Sequence, residues 1–226
     1  MPELPEVESI RRVLKNSLIN QKLQKYKIFD QRINRFNTVN PRNLGVLLEI
    51  YRKGKILQFN FKNNSIFFHL GMSGRLDLNG IKNKHTHGIF FFDEDVLLYD
   101  DIRKFGYIKI LKNDLANKQF STLGPDALSL SKLDKIFVMN KAKKSSTSIK
   151  KFLLNQKNIS GIGNIYVNEI LFLAGIHPHS VSFKLQDTNW NDIFLYTKKV
   201  LKKAIKNNGT TCLLYTSDAA DEVAGG

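Results

Sequence analysis

Apolar residues in the first twenty positions fall at Val7, Ile10, Val13, Leu14 and Leu18, the spacing of one helical face. Pro5 and Glu6 stand where a helix start favours a proline and an acid. The period then shortens. Lys22 to Phe29 alternates loosely, Leu47 to Tyr51 reads as another strand, and Lys55 to Phe61 alternates through Ile56, Leu57, Phe59 and Phe61. Asn63-Asn64 is a hairpin turn signal, after which Ser65 to Leu70 returns as a strand. Arg75 to Leu78, Gly88 to Phe92, Val96 to Tyr99 and Gly106 to Leu111 follow, with Gly71-Met72-Ser73-Gly74 and Asp93-Glu94-Asp95 as turns. Short antiparallel strands at this spacing predict a β-sandwich or barrel.

From about residue 131 the period becomes helical. Leu133, Ile136 and Phe137 predict one apolar stripe, and Ile149, Phe152 and Leu153 a second. Gly161-Ile162-Gly163-Asn164 opens a helix over Ile165 to Ala174. A last helix, Asp187 to Lys206, puts Ile193, Phe194, Val200, Leu201 and Ile205 inside and lysines outside, with Asn208-Gly209 as its cap. The expected class is α+β: a helix and antiparallel sandwich over 1–125, then a helical unit over 131–211. Residues 212–226 break the pattern, with no Lys or Arg and with Asp218, Asp221 and Glu222. Cys212 to Glu222 looks like a translated sequencing adapter, so this tail is expected to be non-native, the natural chain having continued past Thr211.

At 226 residues the chain can hold one large or two small domains around a sizeable core. No apolar run approaches the roughly eighteen residues of a membrane span, and the N-terminus lacks a signal-peptide pattern. A cytoplasmic protein is expected. The single cysteine, Cys212, excludes a disulfide framework and a cysteine-based zinc site within these residues. The net charge of +15 points to a polyanionic partner, most simply nucleic acid, although a general abundance of Lys, Asn and Ile also contributes to it.

Three places carry candidate chemistry. Removal of Met1 leaves Pro2 as a secondary amine, with Glu3 and Glu6 within one helical turn. An α-amino group titrates near about 8, against roughly 10.4 for lysine, so part of it is unprotonated at neutral pH. The helix dipole lowers that value further and the two acids oppose it. Next, exposed Met72, Arg103 and Phe105 on sandwich turns suit a wedge of the kind that displaces a base from a duplex; core packing is the alternative for Met72 and Phe105. Last, the turn at Gly161–Asn164 offers helix N-terminal N–H groups to a phosphate. It lacks the third glycine and the leading strand of a dinucleotide pocket, so a helix–turn–helix gripping the DNA backbone fits better. Beside it, Lys141 to Ser146 is a basic, hydroxyl-rich loop. His85 and His87 alternate along a strand and point to opposite faces, which makes them poor metal co-ligands; a phosphate contact or simple exposure fits them. His177-Pro178-His179 reads as a turn.

Seven segments in order resemble bacterial formamidopyrimidine-DNA glycosylases: PELPEVE at 2–8, RKGK at 52–55, HLGMSG at 69–74, DIRKFG at 101–106, LGPDAL at 123–128, SGIGNIYVNEILFLAGIHP at 160–178 and NGTT at 208–211. The resemblance implies a bifunctional glycosylase and lyase that removes 8-oxoguanine and ring-opened purines from damaged double-stranded DNA and cuts the strand by β,δ-elimination. It implies Pro2 as Schiff-base nucleophile, Glu3 as proton donor near the lesion sugar, and Lys55 as a donor in elimination. It makes Met72, Arg103 and Phe105 the wedge, His85, Arg103 and Lys144 DNA contacts, and Lys150 and Asn164 grips on phosphate in a helix–two-turn–helix domain. Ile102 and Lys104 stand where proline and a second arginine are common. Family members are expected to carry a four-cysteine zinc finger, a catalytic arginine and a base-contacting loop beyond NGTT. The chain as given is therefore expected to act as a monomer, without cofactor or zinc, and to excise lesions weakly. Two alternatives stay open: an endonuclease VIII-like enzyme for oxidised pyrimidines, which usually lacks the Met…Arg-x-Phe wedge, and a non-catalytic DNA-binding protein.

Overall fold

Helix α1 spans Leu4–Leu18 and buries Leu4, Val7, Ile10, Leu14 and Leu18 almost completely, while Val13 stays half-exposed. The Glu6 carboxylate reaches back to accept the Glu3 N–H at 2.9 Å, satisfying one of the donors a helix start leaves open. The computed structural model describes residues 2–34 and 44–207. The expected tail and the Asn208-Gly209 cap lie outside that range.

Two antiparallel sheets follow. Strands β1 (Lys22–Leu23), β2 (Lys25–Ile28), β3 (Gly45–Lys53), β4 (Ile56–Phe61) and β5 (Asn64–His69) are succeeded by β6 (Gly74–Leu78), β7 (Thr86–Phe91), β8 (Val96–Asp101) and β9 (Tyr107–Lys112). One sheet runs β1-β3-β4-β5-β9 and the other β2-β7-β8-β6. The expected single strand from Lys22 to Phe29 is in fact two. Gln24 is the corner, its N–H crossing to Phe91 of the second sheet at 2.8 Å. The inward rows of both sheets enclose a core that includes Phe59, Phe61, Phe68, Phe90 and Tyr99 together with Val7, Ile10, Leu14 and Leu18 of α1. On the outer face of the five-stranded sheet, Ile56, Phe67 and Leu111 are covered by Ala116 of α2 (Asn113–Gln119) and by Phe120. The sequence pattern did not predict α2.

Helices α3 (Lys132–Ala142), α4 (Ile149–Leu154), α5 (Asn164–Leu173) and α6 (Asp187–Lys206) build the second half. Ser131 and Asp134 form a capping box at the start of α3, and Ser148 caps α4. The predicted stripe on α3 is wrong in its face. Leu133, Ile136 and Phe137 point to solvent, and Val138 and Ala142 are what the helix buries. The Lys141 ammonium lies over the Phe137 ring, 5.1 Å from its centre. Leu4 belongs to this second core, among Ile159, Ile162, Tyr166 and Trp190, so α1 starts in the helical half and continues into the sandwich. Among the described residues, no helix is long and apolar enough to cross a membrane.

Candidate active site and DNA-facing surface

The N-terminal turn sits against the start of α5. Pro2 is buried, and Glu3 and Glu6 are nearly inaccessible. The Leu4 N–H donates to the Gly161 carbonyl at 3.3 Å, which is possible because Gly161 has φ +107 and a side chain there would strike Leu4. The Ile165 N–H donates to Glu3 Oε1 at 2.9 Å, and the Tyr166 N–H points to Oε2 at 3.5 Å. The Tyr166 hydroxyl donates to Glu6 Oε1 at 2.5 Å. These two amides are thus not open to a phosphate, as the sequence had suggested. A helix N-terminus attracts any anion, and here the chain supplies its own carboxylate.

Lys55 enters the same place from the turn between β3 and β4. Gly54 precedes it with φ +57 and lies against Ser160. Burial pushes the Lys55 ammonium below its ordinary pKa, and the negative charges of Glu3 and Glu6 push it back up. Gly163 separates the Glu3 carboxylate from the Lys55 amine so closely that a methyl group there would collide with both. Glu3 and Lys55 therefore meet at Gly163, next to the buried turn that Pro2 begins.

Behind this point lies a network that the sequence did not disclose. The Arg52 guanidinium bonds Glu8 Oε2 at 3.0 Å, Asp126 Oδ2 at 2.6 Å and the Gly54 carbonyl at 2.9 Å. Asp126 Oδ2 also accepts the Gly54 N–H at 2.7 Å. Burial raises the Glu8 carboxyl, but hydrogen bonds from Arg11, Arg52 and Arg12 overcome it and hold the group at about 2. Arg52 and Asp126 both lie inside segments that carried the resemblance. As isolated charges they had no readable partner.

The second cluster is on the sandwich turns. Met72 and Phe105 are 42% and 50% exposed, which removes core packing as their explanation. The Arg103 guanidinium stacks over the Phe105 ring at 4.8 Å. Lys104 takes φ +56 and pairs with Asp30 at 2.8 Å, turning away from that stack. His85 is partly exposed, its N–H held by Asn83. His87 is buried, with Nε2 3.0 Å from the Asp101 carbonyl, so simple exposure does not describe it. On the helical half, Lys144 lines a cleft with Lys141, Lys151, Ser145 and Thr147. Lys150 is partly buried on α4, and Asn164 is exposed at the first position of α5, next to Gly163. His177 and His179 are in a turn, the His179 N–H donating to His177 Nδ1. Among the described residues, no three His, Cys, Asp or Glu side chains could share a metal ion.

Two family models match the chain: the formamidopyrimidine-DNA glycosylase N-terminal domain over residues 1–108 and the H2TH domain of the same enzyme over 123–215. A formamidopyrimidine-DNA glycosylase of Psychromonas ingrahamii is 35% identical over 225 residues, covering 93% of this chain and 80% of its own length. A crystal structure of the Lactococcus lactis enzyme, non-covalently bound to DNA containing an AP site, superposes with a TM-score of 0.84 at 31% identity, covering 92% of this chain and 84% of that one. A variant of the L. lactis enzyme in complex with DNA containing Fapy-dG gives a TM-score of 0.87 at 31% identity, covering 95% of this chain and 82% of that one.

Proposed function

The chain belongs to the formamidopyrimidine-DNA glycosylase family, and from that premise we propose that Pro2, Glu3 and Lys55 carry its reaction on damaged duplex DNA. The activity is that of a DNA glycosylase and abasic-site lyase acting on oxidised purines. One observation carries the residue assignment: Glu3 and Lys55 meet at Gly163 beside the buried turn that begins with Pro2.

With Met1 removed, the Pro2 nitrogen attacks C1′ of the lesion nucleotide. The glycosidic bond breaks, its electron pair leaves with the base, and a proton is delivered to the departing group. Ring opening gives an iminium at C1′. A secondary amine cannot lose this positive charge as an imine would, so it remains an electron sink. Loss of a C2′ proton then expels the 3′ phosphate, and a second elimination expels the 5′ phosphate. Glu3, next to Pro2 in the chain, is the proton donor near the lesion sugar. Lys55 is the mobile donor for the elimination steps, and its lowered pKa eases proton release at neutral pH.

Met72, Arg103 and Phe105 fill the space left by the extruded base, because two exposed apolar tips and a stacked guanidinium match a hole in a base stack. His85, Lys144, Lys150 and Asn164 hold phosphates. Such contacts set position and weaken with salt. The protein acts in the cytoplasm as a monomer. The family carries zinc in a C-terminal finger. The single cysteine of this sequence does not fit a four-cysteine site.

Borohydride trapping tests the assignment. A duplex containing an abasic site needs only the amine and gives a covalent adduct. Acylating the Pro2 nitrogen with an added residue ahead of it abolishes the adduct, and Pro2→Gly, which puts a primary amine on a freer backbone, lowers it. An undiminished adduct from the blocked form, or none from the unaltered chain, sinks the proposal.

A further inference from the structure

We infer that Asp101 joins the turns carrying Met72 and Phe105 into one rigid wedge and is thereby a positioning residue for base extrusion. The inference rests on the assignment of Met72, Arg103 and Phe105 made above.

Strand β8 ends in two buried acids, Asp100 and Asp101, whose side chains point to opposite faces of the sheet. Asp100 faces Arg75, at 2.8 Å, and Asn83, at 2.7 Å, and so anchors the loop that holds His85. Asp101 faces the wedge and is fully buried. Its Oδ1 accepts the Ser73 hydroxyl at 2.6 Å and the Arg103 N–H at 3.2 Å, and its Oδ2 accepts the Gly106 N–H at 2.8 Å. The Arg103 N–H also reaches Ser73 Oγ at 2.9 Å. One carboxylate therefore holds the Met72 turn through Ser73 and the Phe105 turn at both its ends.

The backbones meet independently of that carboxylate. A Cβ on Gly71, which has φ +59, would lie 2.5 Å from the Gly106 nitrogen and 2.6 Å from the Phe105 carbonyl carbon. A Cβ on Gly106 would collide with the His69 carbonyl and the Tyr99 hydroxyl. The Tyr99 hydroxyl itself donates to the His69 carbonyl at 3.1 Å, tying β8 to the start of the Met72 turn. The two turns touch main chain to main chain, and the apolar tips face outward from this rigid base. Rigidity has a direct use. A tip that is ordered before it meets DNA loses less conformational entropy on insertion than a mobile one. Asp101 thus acts through Met72 and Phe105 and does not itself touch DNA.

Asp101→Asn keeps the size and turns one acceptor into a donor facing other donors. Hydrogen exchange on the unbound full chain reads the result. The amides of Arg103 and Gly106, and that of Gly74 in the other turn, are expected to exchange about tenfold faster or more, the scale of one lost bond to a charged group. A second measurement uses two duplexes. One carries 8-oxoguanine beside a 2-aminopurine whose fluorescence rises on extrusion; the other carries an abasic site and has no base to extrude. Asp101→Asn slows the fluorescence rise about tenfold while leaving borohydride trapping on the abasic duplex within about twofold, whereas general misfolding lowers both. Ser73→Ala removes one of the contacts and gives a smaller effect that does not add to that of Asp101→Asn. Unchanged exchange at Gly74 while Arg103 and Gly106 loosen overturns the inference, as does an equal loss on both duplexes. A fluorescence rise missing from the unaltered chain counts against the wedge assignment instead, and the exchange pattern still decides the role of Asp101.

Discussion

Gly163 shows how much a single residue controls here. Its φ is −127, a conformation any residue adopts, so its backbone does not require glycine. What requires it is the narrow space between Glu3 and Lys55. Glu3 cannot move aside easily, because the Ile165 N–H holds it. Gly163→Ala is therefore expected to displace Lys55 and slow strand cleavage at an abasic site by about a hundredfold, the cost of an ångström-scale misplacement. Overpacking this buried place should also cost about 1–3 kcal/mol of stability. A rate equal to that of the unaltered chain would show that the Glu3–Lys55 spacing is not needed. This restriction was half-legible in the sequence. The Gly-Ile-Gly-Asn turn was visible as an anion-seeking helix start, but its anion, Glu3, lies 162 positions from Ile165, and periodicity carries no information over that range.

At the scale of elements, alternation found strands such as β4, whose inward residues are buried and whose alternate residues are half-exposed, whereas β5, β7 and β8 are buried on both faces and are marked by their turns. It failed at α2, where Asn113–Gln119 buries chiefly Ala116 and so writes no apolar stripe. It failed differently at α3, where the stripe exists and faces solvent. The cause is that α3 meets the core along the narrow line of Val138 and Ala142, leaving larger residues outside. This has a measurable consequence. Leu133 is 77% exposed, so Leu133→Lys is expected to change unfolding free energy by no more than about 0.5 kcal/mol. Val138→Ala, at a buried position, should cost about 1–3 kcal/mol. Urea denaturation of the two variants checks the assignment of faces, and a larger loss at Leu133 would reverse it.

For the whole molecule, the Glu8–Arg52–Asp126 network joins α1, the β3–β4 hairpin and the segment leading into the helical half. Removing one member strands a buried charge, so Glu8→Gln is expected to cost about 3–5 kcal/mol. The pH dependence has a definite sign. Glu8 is held at about 2 against an ordinary value of 4.5, so its contribution is complete above 4.5 and disappears as pH falls through about 2. The stability gap between the unaltered chain and Glu8→Gln should narrow across that window in denaturation experiments. A gap that stays constant would place the benefit of Glu8 elsewhere. The same architecture bears on how the protein matures. Pro2 is buried and Leu4 is locked into the helical core, so the first turn is shaped by both halves of the molecule. On the assignment proposed for Pro2, its nitrogen becomes an amine only when the bond to Met1 is cleaved. Any fusion placed ahead of Pro2 leaves that nitrogen acylated, and such a protein is expected to fold yet give no borohydride adduct.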